Sequence, residues 1–135
     1  MKQFTFGKKK RLVTNRQFKA VLDHRISVSN GLLVLYMAEN NLDYSRLGIS
    51  VGKSFGGAVA RNRAKRLLRE AWRLYQGQIP VGFDYLLMIS PKWSKKVNGS
   101  TDSERAVRQI TFEQVRTSFL TLVDQLRKRR QKARI

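Results

Sequence analysis

The residues of this chain best able to do chemistry are cations. Between Ala60 and Glu70 it reads Ala-Arg-Asn-Arg-Ala-Lys-Arg-Leu-Leu-Arg-Glu. At about 100° per helical residue, Arg61, Asn62, Lys65, Arg66, Arg69 and Arg73 fall on an arc of roughly 140°. Ala60, Ala64, Leu67, Leu68, Ala71 and Tyr75 take the opposite side. One side can bury against a core while the other presents closely spaced guanidinium and ammonium groups. Such groups bind polyanions through phosphate contacts. A basic helix face is often only a solvated surface, and an amphipathic helix only a core element. Here the balancing acids are missing. Glu70 is the only acid from Val59 to Tyr75, within helical reach of Arg66 or Arg73. Like charges at this spacing repel by roughly a few tenths of a kcal/mol per pair, so an anionic ligand that relieves them is expected. Nucleic acid has that chemistry.

Other reactive groups are scarce. His24 is the only histidine; without an orienting partner it reads as a surface residue beside a helix end. No Cys/His cluster or carboxylate run has metal-site spacing. Asp84, between Phe83 and Tyr85, reads as an ion-pair partner rather than a general base. Gly52, Gly56 and Gly57 around Lys53 resemble a phosphate loop but lack the Walker spacing. The expectation is a polypeptide with no catalytic residue and no metal site of its own. Phe18 and Tyr36 admit two readings, as core residues or as platforms on which bases stack.

The elements that must position these groups follow from composition and periodicity. The 135 residues suit one domain with a real core. Lys and Arg number 28 against 9 acids, a formal net charge of +19. Self-repulsion on that scale destabilises a compact chain, so an anionic partner, nucleic acid or membrane, is expected. The excess extends through Lys8-Lys9-Lys10-Arg11 and Arg127-Lys128-Arg129-Arg130. Cysteine is absent, which fits a reducing compartment. With no apolar run of spanning length and no signal-peptide core at Met1–Gly7, a cytoplasmic protein is expected.

Residues 1–11 read as a flexible basic arm and 131–135 as a basic tail around a single RNA-binding α+β domain over 12–130. Val13, Gln17, Phe18, Val21 and Leu22 recur at helical spacing, with Thr14 or Asn15 as cap. A short strand is possible at Ile26–Val28. The apolar run Leu32–Ala38 and the alternation over Arg46–Gly52 predict two strands. A glycine-rich loop, Lys53–Gly57, leads into the basic helix, Ala58–Tyr75, which Gly77 and Pro80 stop. Phe83–Ile89 predicts another strand, and the polar stretch 91–109 a flexible loop. Thr111 with Gln114 forms a capping box for a last helix, with Phe112, Val115, Phe119, Leu122, Val123 and Leu126 on one stripe. The order αβββαβα, with a sheet of about four strands, makes a two-layer α-β sandwich.

These residues resemble a known family. Arg46-Leu-Gly-Ile-Ser-Val-Gly-Lys53 followed by Ala58-Val-Ala-Arg61-Asn62-Arg63-Ala-Lys65-Arg66-Leu-Leu-Arg69-Glu70 is similar to the hallmark of the protein subunit of bacterial ribonuclease P. The similarity reaches back through Gln17-Phe18-Lys-Ala-Val21-Leu22, Ser27-Val-Ser-Asn30 and Leu33-Val-Leu-Tyr36, and forward to Phe83-Asp84-Tyr85. The resemblance implies a left-handed crossover around the basic helix. It implies a protein that assists an RNA subunit in the magnesium-dependent, endonucleolytic removal of the 5′ leader from precursor tRNA. The metal would be held mainly by the RNA subunit and substrate. By position, Arg61, Asn62, Arg63, Lys65, Arg66 and Arg69 would face the catalytic RNA, with Arg73 added by the helical arc. Phe18, Leu22 and Tyr36 would line a groove for the single-stranded leader, with Arg46, Ser50 and Lys53 nearby. Two departures stand out: Ser54 follows Lys53 where the family usually has a second lysine, and Leu22 replaces a frequent aromatic. The expected partners are the catalytic RNA and precursor tRNA, with no membrane and no DNA. The alternative is a structural ribosomal protein, which shares small size and basic tails.

Overall fold

A computed structural model of the chain describes residues 11–12, 14–24, 26–90 and 107–133. Its elements are α1 (Asn15–Asp23), β1 (Ile26–Ser29), β2 (Leu33–Glu39), β3 (Arg46–Ser50), α2 (Ala58–Tyr75), β4 (Phe83–Ile89) and α3 (Phe112–Ala133). The αβββαβα order and four-stranded sheet agree with the sequence reading. Thr14 caps α1: its hydroxyl accepts from the Gln17 amide at 3.1 Å, and the Gln17 side chain accepts from the Thr14 amide at 3.1 Å. Thr111 and Gln114 repeat the same box ahead of α3. Each box satisfies two helix-end donors that would otherwise lack partners.

The strands lie in the order β1-β2-β4-β3. β1 and β2 are antiparallel, as are β2 and β4, whereas β3 runs parallel to β4. α2 therefore makes the crossover between two adjacent parallel strands. Register assigns every second residue to one face. Leu33, Leu35, Met37, Tyr85, Leu87, Ile89 and Leu47 share the face covered by α2 and α3, and all are buried. α2 contributes Ala64, Leu68, Ala71 and Trp72, and α3 contributes Val115, Phe119, Leu122, Val123 and Leu126. The Trp72 ring centroid lies 5.3 Å from Tyr85 and 6.3 Å, edge-on, from Phe119, distances at which tilted aromatic pairs attract.

Among the described residues, the other face is only partly covered. α1 lies on it, and Leu12, Val21 and Leu86 form a small second cluster with half-buried Phe18, Tyr36 and Met88 around them. Phe18 comes so close to Gly48 that a Cβ there would stand 2.6 Å from Phe18 Cε1. Gly48 is thus a close-approach glycine, since no side chain fits between strand and ring.

Three details depart from the sequence reading. Arg11, assigned to the flexible arm, bridges Leu47 on the outer edge of β3, and the Leu12 amide donates to the Leu47 carbonyl at 2.9 Å. Val107, in the stretch read as polar, is fully buried in the main core within a helical turn over 107–109; so short a turn has no repeating period to announce it. Trp72, which the sequence reading leaves off the apolar side, lies about 40° from Leu68 on the helix and is buried in the main core, while Leu67 and Tyr75 pack against that core half-buried. The rest of the expected loop, 91–106, and residues 1–10 lie outside the described residues.

The middle of α3 is fixed to the β1–β2 turn. Asn30 Nδ2 donates to the Ser118 carbonyl at 2.7 Å, and the Ser118 hydroxyl donates to Asn30 Oδ1 at 3.0 Å. The same Oδ1 accepts the Leu33 amide at 3.2 Å. Among the described residues, no buried side-chain polar atom lacks a partner.

Candidate nucleic-acid interface

The helix α2 begins where the chain leaves β3 through a tight 3₁₀ turn, Lys53–Phe55. Buried Phe55 anchors that turn, and Gly56, at φ 117°, redirects the backbone into the helix, a conformation that favours glycine. Lys53 is left exposed on the turn.

Beyond it, Asn62, Arg66 and Arg69 are exposed along one side of α2, with Lys65 half-buried beside them. None of the three cations, Lys65, Arg66 and Arg69, makes an ion pair with a carboxylate among the described residues. Arg61 is half-buried at the edge nearest β3, and its Nε donates to the Val51 carbonyl at 3.1 Å. Arg63 turns towards the opposite edge, its Nη1 at 3.5 Å from the Val107 carbonyl. The two arginines that flank Asn62 thus lie on different sides of the helix. Of its two reachable arginines, Glu70 takes Arg73, through contacts of 3.1 and 2.6 Å. That hydrogen bond, chiefly, holds the Glu70 carboxyl below its ordinary range and raises Arg73. The arc is therefore unevenly free: no carboxylate among the described residues neutralises Lys65, Arg66 or Arg69, while Arg73 shares its charge with Glu70.

The second candidate surface is the partly covered sheet face. One row of cross-strand neighbours runs Gly48, Leu86, Tyr36, Ser27; the next runs Ser50, Met88, Val34, Ser29. Phe18 stands over Gly48 at one end of the first row. Leu22, on α1, is 37% exposed and Tyr36 half-exposed. Phe18 and Tyr36 both pack on the small cluster and both stay half-buried. Phe18, Leu22, Tyr36 and Ser50 are brought to this side together.

Arg46 shares the face but is engaged. Its Nε and Nη2 donate to the two Asp84 carboxylate oxygens at 2.8 and 2.6 Å, and Asn40 Nδ2 donates to Oδ1 at 2.9 Å. The hydrogen bond to Asp84 is the main reason the Arg46 pKa is raised. Asp84 is thus the ion-pair partner its sequence context suggested. His24 is exposed, its Nδ1 3.2 Å from the Ala20 carbonyl at the end of α1. Among the described residues, no three His, Cys, Asp or Glu stand together as a metal site, and no helix is long and apolar enough to cross a membrane.

A family model described as Ribonuclease P matches residues 6–127. The ribonuclease P protein component of Thermotoga maritima is 34% identical over 122 residues, covering 90% of this chain and 96% of that protein. That of Clostridioides difficile is 42% identical over 106 residues, covering 78% and 91%. Among solved structures, the RNase P protein from Thermotoga maritima superposes with a TM-score of 0.69 at 34% identity, covering 85% of this chain and 96% of the other. The Staphylococcus aureus RNase P protein superposes at 0.66 with 27% identity, covering 85% and 93%. This removes the ribosomal alternative and implies an RNA partner. The chain belongs to the ribonuclease P protein family and is a protein component of that tRNA-processing endoribonuclease.

Proposed function

We propose that the two surfaces divide the work of binding two RNAs. The exposed side of α2, with Asn62, Lys65, Arg66 and Arg69 and with Arg61, Arg63 and Arg73 at its margins, binds the catalytic RNA subunit. The half-open sheet face, with Phe18, Leu22 and Tyr36 and with Ser50 and Lys53 at one end, holds the single-stranded 5′ leader of precursor tRNA. Arg46 acts there mainly by fixing the sheet edge through Asp84. The observation carrying this reading is the coexistence, among the described residues, of cations on one helix side (Lys65, Arg66 and Arg69) without carboxylate partners and an apolar, aromatic sheet face without full cover. Phosphates answer the first and unstacked bases the second.

In this reading the protein does no bond chemistry. The RNA subunit supplies the active site, and magnesium is held by RNA phosphates rather than by side chains of this chain. The protein offsets repulsion between two polyanions and favours substrate over product, because only the precursor still carries a leader. The compartment is then the cytoplasm, where tRNA precursors are made in bacteria. The test is binding of the reconstituted holoenzyme to precursors whose leaders are trimmed stepwise. Affinity should fall as the leader shortens, and an affinity independent of leader length would overturn the groove assignment. Cleavage by the RNA subunit at low magnesium, with and without protein, tests where the chemistry resides.

A further inference from the structure

The cross-strand row that begins beneath Phe18 at Gly48 ends at Ser27, on the outer edge of β1. There an element remote in sequence reaches the sheet. Arg129, near the end of α3, donates from Nη1 to the Ser27 backbone carbonyl at 2.6 Å. One guanidinium carries five donors, and this contact occupies one of them. Arg129 is exposed, as is Arg127. Lys128, by contrast, pairs with Asp124 at 3.2 Å. Arg129 lies past residue 127, where the family match stops.

The position is informative. Lys53 and Arg61 stand at the β3 side of the sheet, and Arg129 at the β1 side. Three strand spacings separate the two edges, about 14 Å. We propose that Arg129 is a phosphate contact for the leader where it leaves the sheet across β1, and so sets how many leader nucleotides the protein reads. The inference rests on the groove reading above. Ser27 holds the guanidinium in place, and Tyr36, next in the same row, supplies the stacking surface just before it. The contact is charge-assisted and bears on any nucleotide, so it reads length rather than sequence.

The experiment uses the holoenzyme reconstituted with wild-type protein, Arg129→Gln, Arg129→Lys or Tyr36→Ala, and precursors whose leaders grow one nucleotide at a time. Arg129→Gln keeps a donor for the Ser27 carbonyl but removes the charge. It should bind short-leader precursors as wild type does and lose roughly 3- to 5-fold affinity once the leader is long enough to reach β1, the range of an exposed charge pair. The slope of log K against log salt should become shallower by about 0.7 for those long leaders alone, one phosphate of a single strand. Arg129→Lys should restore both. Tyr36→Ala should weaken binding at shorter leaders as well. If Tyr36→Ala is leader-dependent and Arg129→Gln is neutral at every length, or equally weak at every length, the Arg129 assignment is wrong and the groove stands. If neither variant responds to leader length, the groove reading fails first.

Discussion

The two faces of the one sheet are built from alternate residues of the same strands, yet they end in opposite states. Leu33, Leu35, Tyr85 and Leu87, facing α2 and α3, have no measurable exposure, whereas Tyr36 and Met88, one residue removed, keep part of their surface in water. Among the described residues, two long helices close the first face, and the short α1 leaves the second half open. In the proposed function, the apolar surface of this second face is where binding rather than folding uses the hydrophobic and stacking energy. The same side-chain types would then stabilise the domain on one face and serve a ligand on the other.

The sharpest way to break this contrast is to truncate matched aromatics. Phe119→Ala, on the sealed face, should lower unfolding free energy by about 3–5 kcal/mol, read by urea denaturation. Tyr36→Ala should lower it far less, and should instead weaken precursor binding by about 1–3 kcal/mol if a base stacks there. Equal stability losses would mean that the open face is ordinary core.

Gly48→Ala probes the seam between the two roles. The new methyl would meet Phe18 Cε1 at 2.6 Å and Leu12 Cβ at 3.1 Å, and overpacking of this kind costs about 1–3 kcal/mol. Phe18 must shift to admit the methyl, so in the proposed function leader affinity should fall while affinity for the RNA subunit is retained. Loss of both would tie α1 to the whole fold.

On the basic helix, Arg66→Ala and Arg69→Ala should leave stability within about 0.5 kcal/mol and weaken RNA-subunit binding. Removing one cation from a phosphate should flatten the salt dependence by about 0.7–0.9. Arg73→Ala should do less, because Glu70 already compensates its charge. A reversed ranking, measured by filter binding over a salt series, would show that pairing with Glu70 does not gate the interaction.

The smallest effect concerns acid. Glu70 and Glu113 lie below their ordinary 4.5, chiefly through hydrogen bonds to Arg73 and Arg116. Carboxyls lowered on folding contribute stability above the unfolded value and lose it as pH falls through the folded one. Both pairs lie at the surface and are screened by solvent, so the double variant Glu70→Gln, Glu113→Gln should differ only slightly from the parent in thermal melts at pH 7. The two should converge well below pH 4.5.

How far the molecule is legible in its sequence varies with the kind of signal. Helix α2 is legible to its ends because Gly56-Gly57 and Gly77 bracket a strongly periodic segment. The capping box ahead of α3 is legible as well, being a local exchange of hydrogen bonds within three residues; ahead of α1 the sequence leaves Thr14 and Asn15 as alternatives, and the structure selects Thr14 with Gln17. The strand at β1 is visible only in part, four residues being too short for a clear alternation. Whether Phe18 and Tyr36 are sealed or open is not legible at all. That depends on how much sheet a nine-residue α1 can cover, a matter of tertiary packing. Trp72 escapes the sequence reading because it sits at the margin of the apolar stripe, where size rather than angle decides which side chain turns inward. The Arg129–Ser27 contact spans 102 positions and leaves no local trace.

The amide of Asn30 has one more effect. By gripping Ser118 from both of its ends while also securing the Leu33 amide, it pins the last helix against sliding along its own axis. A slip of a single turn would carry the far end of that helix about 5.4 Å, enough to pull Arg129 off the strand. A small, neutral hinge pin in a turn therefore governs, from more than a dozen ångströms away, where a positive charge meets the edge of the sheet (eleven residues at about 1.5 Å each).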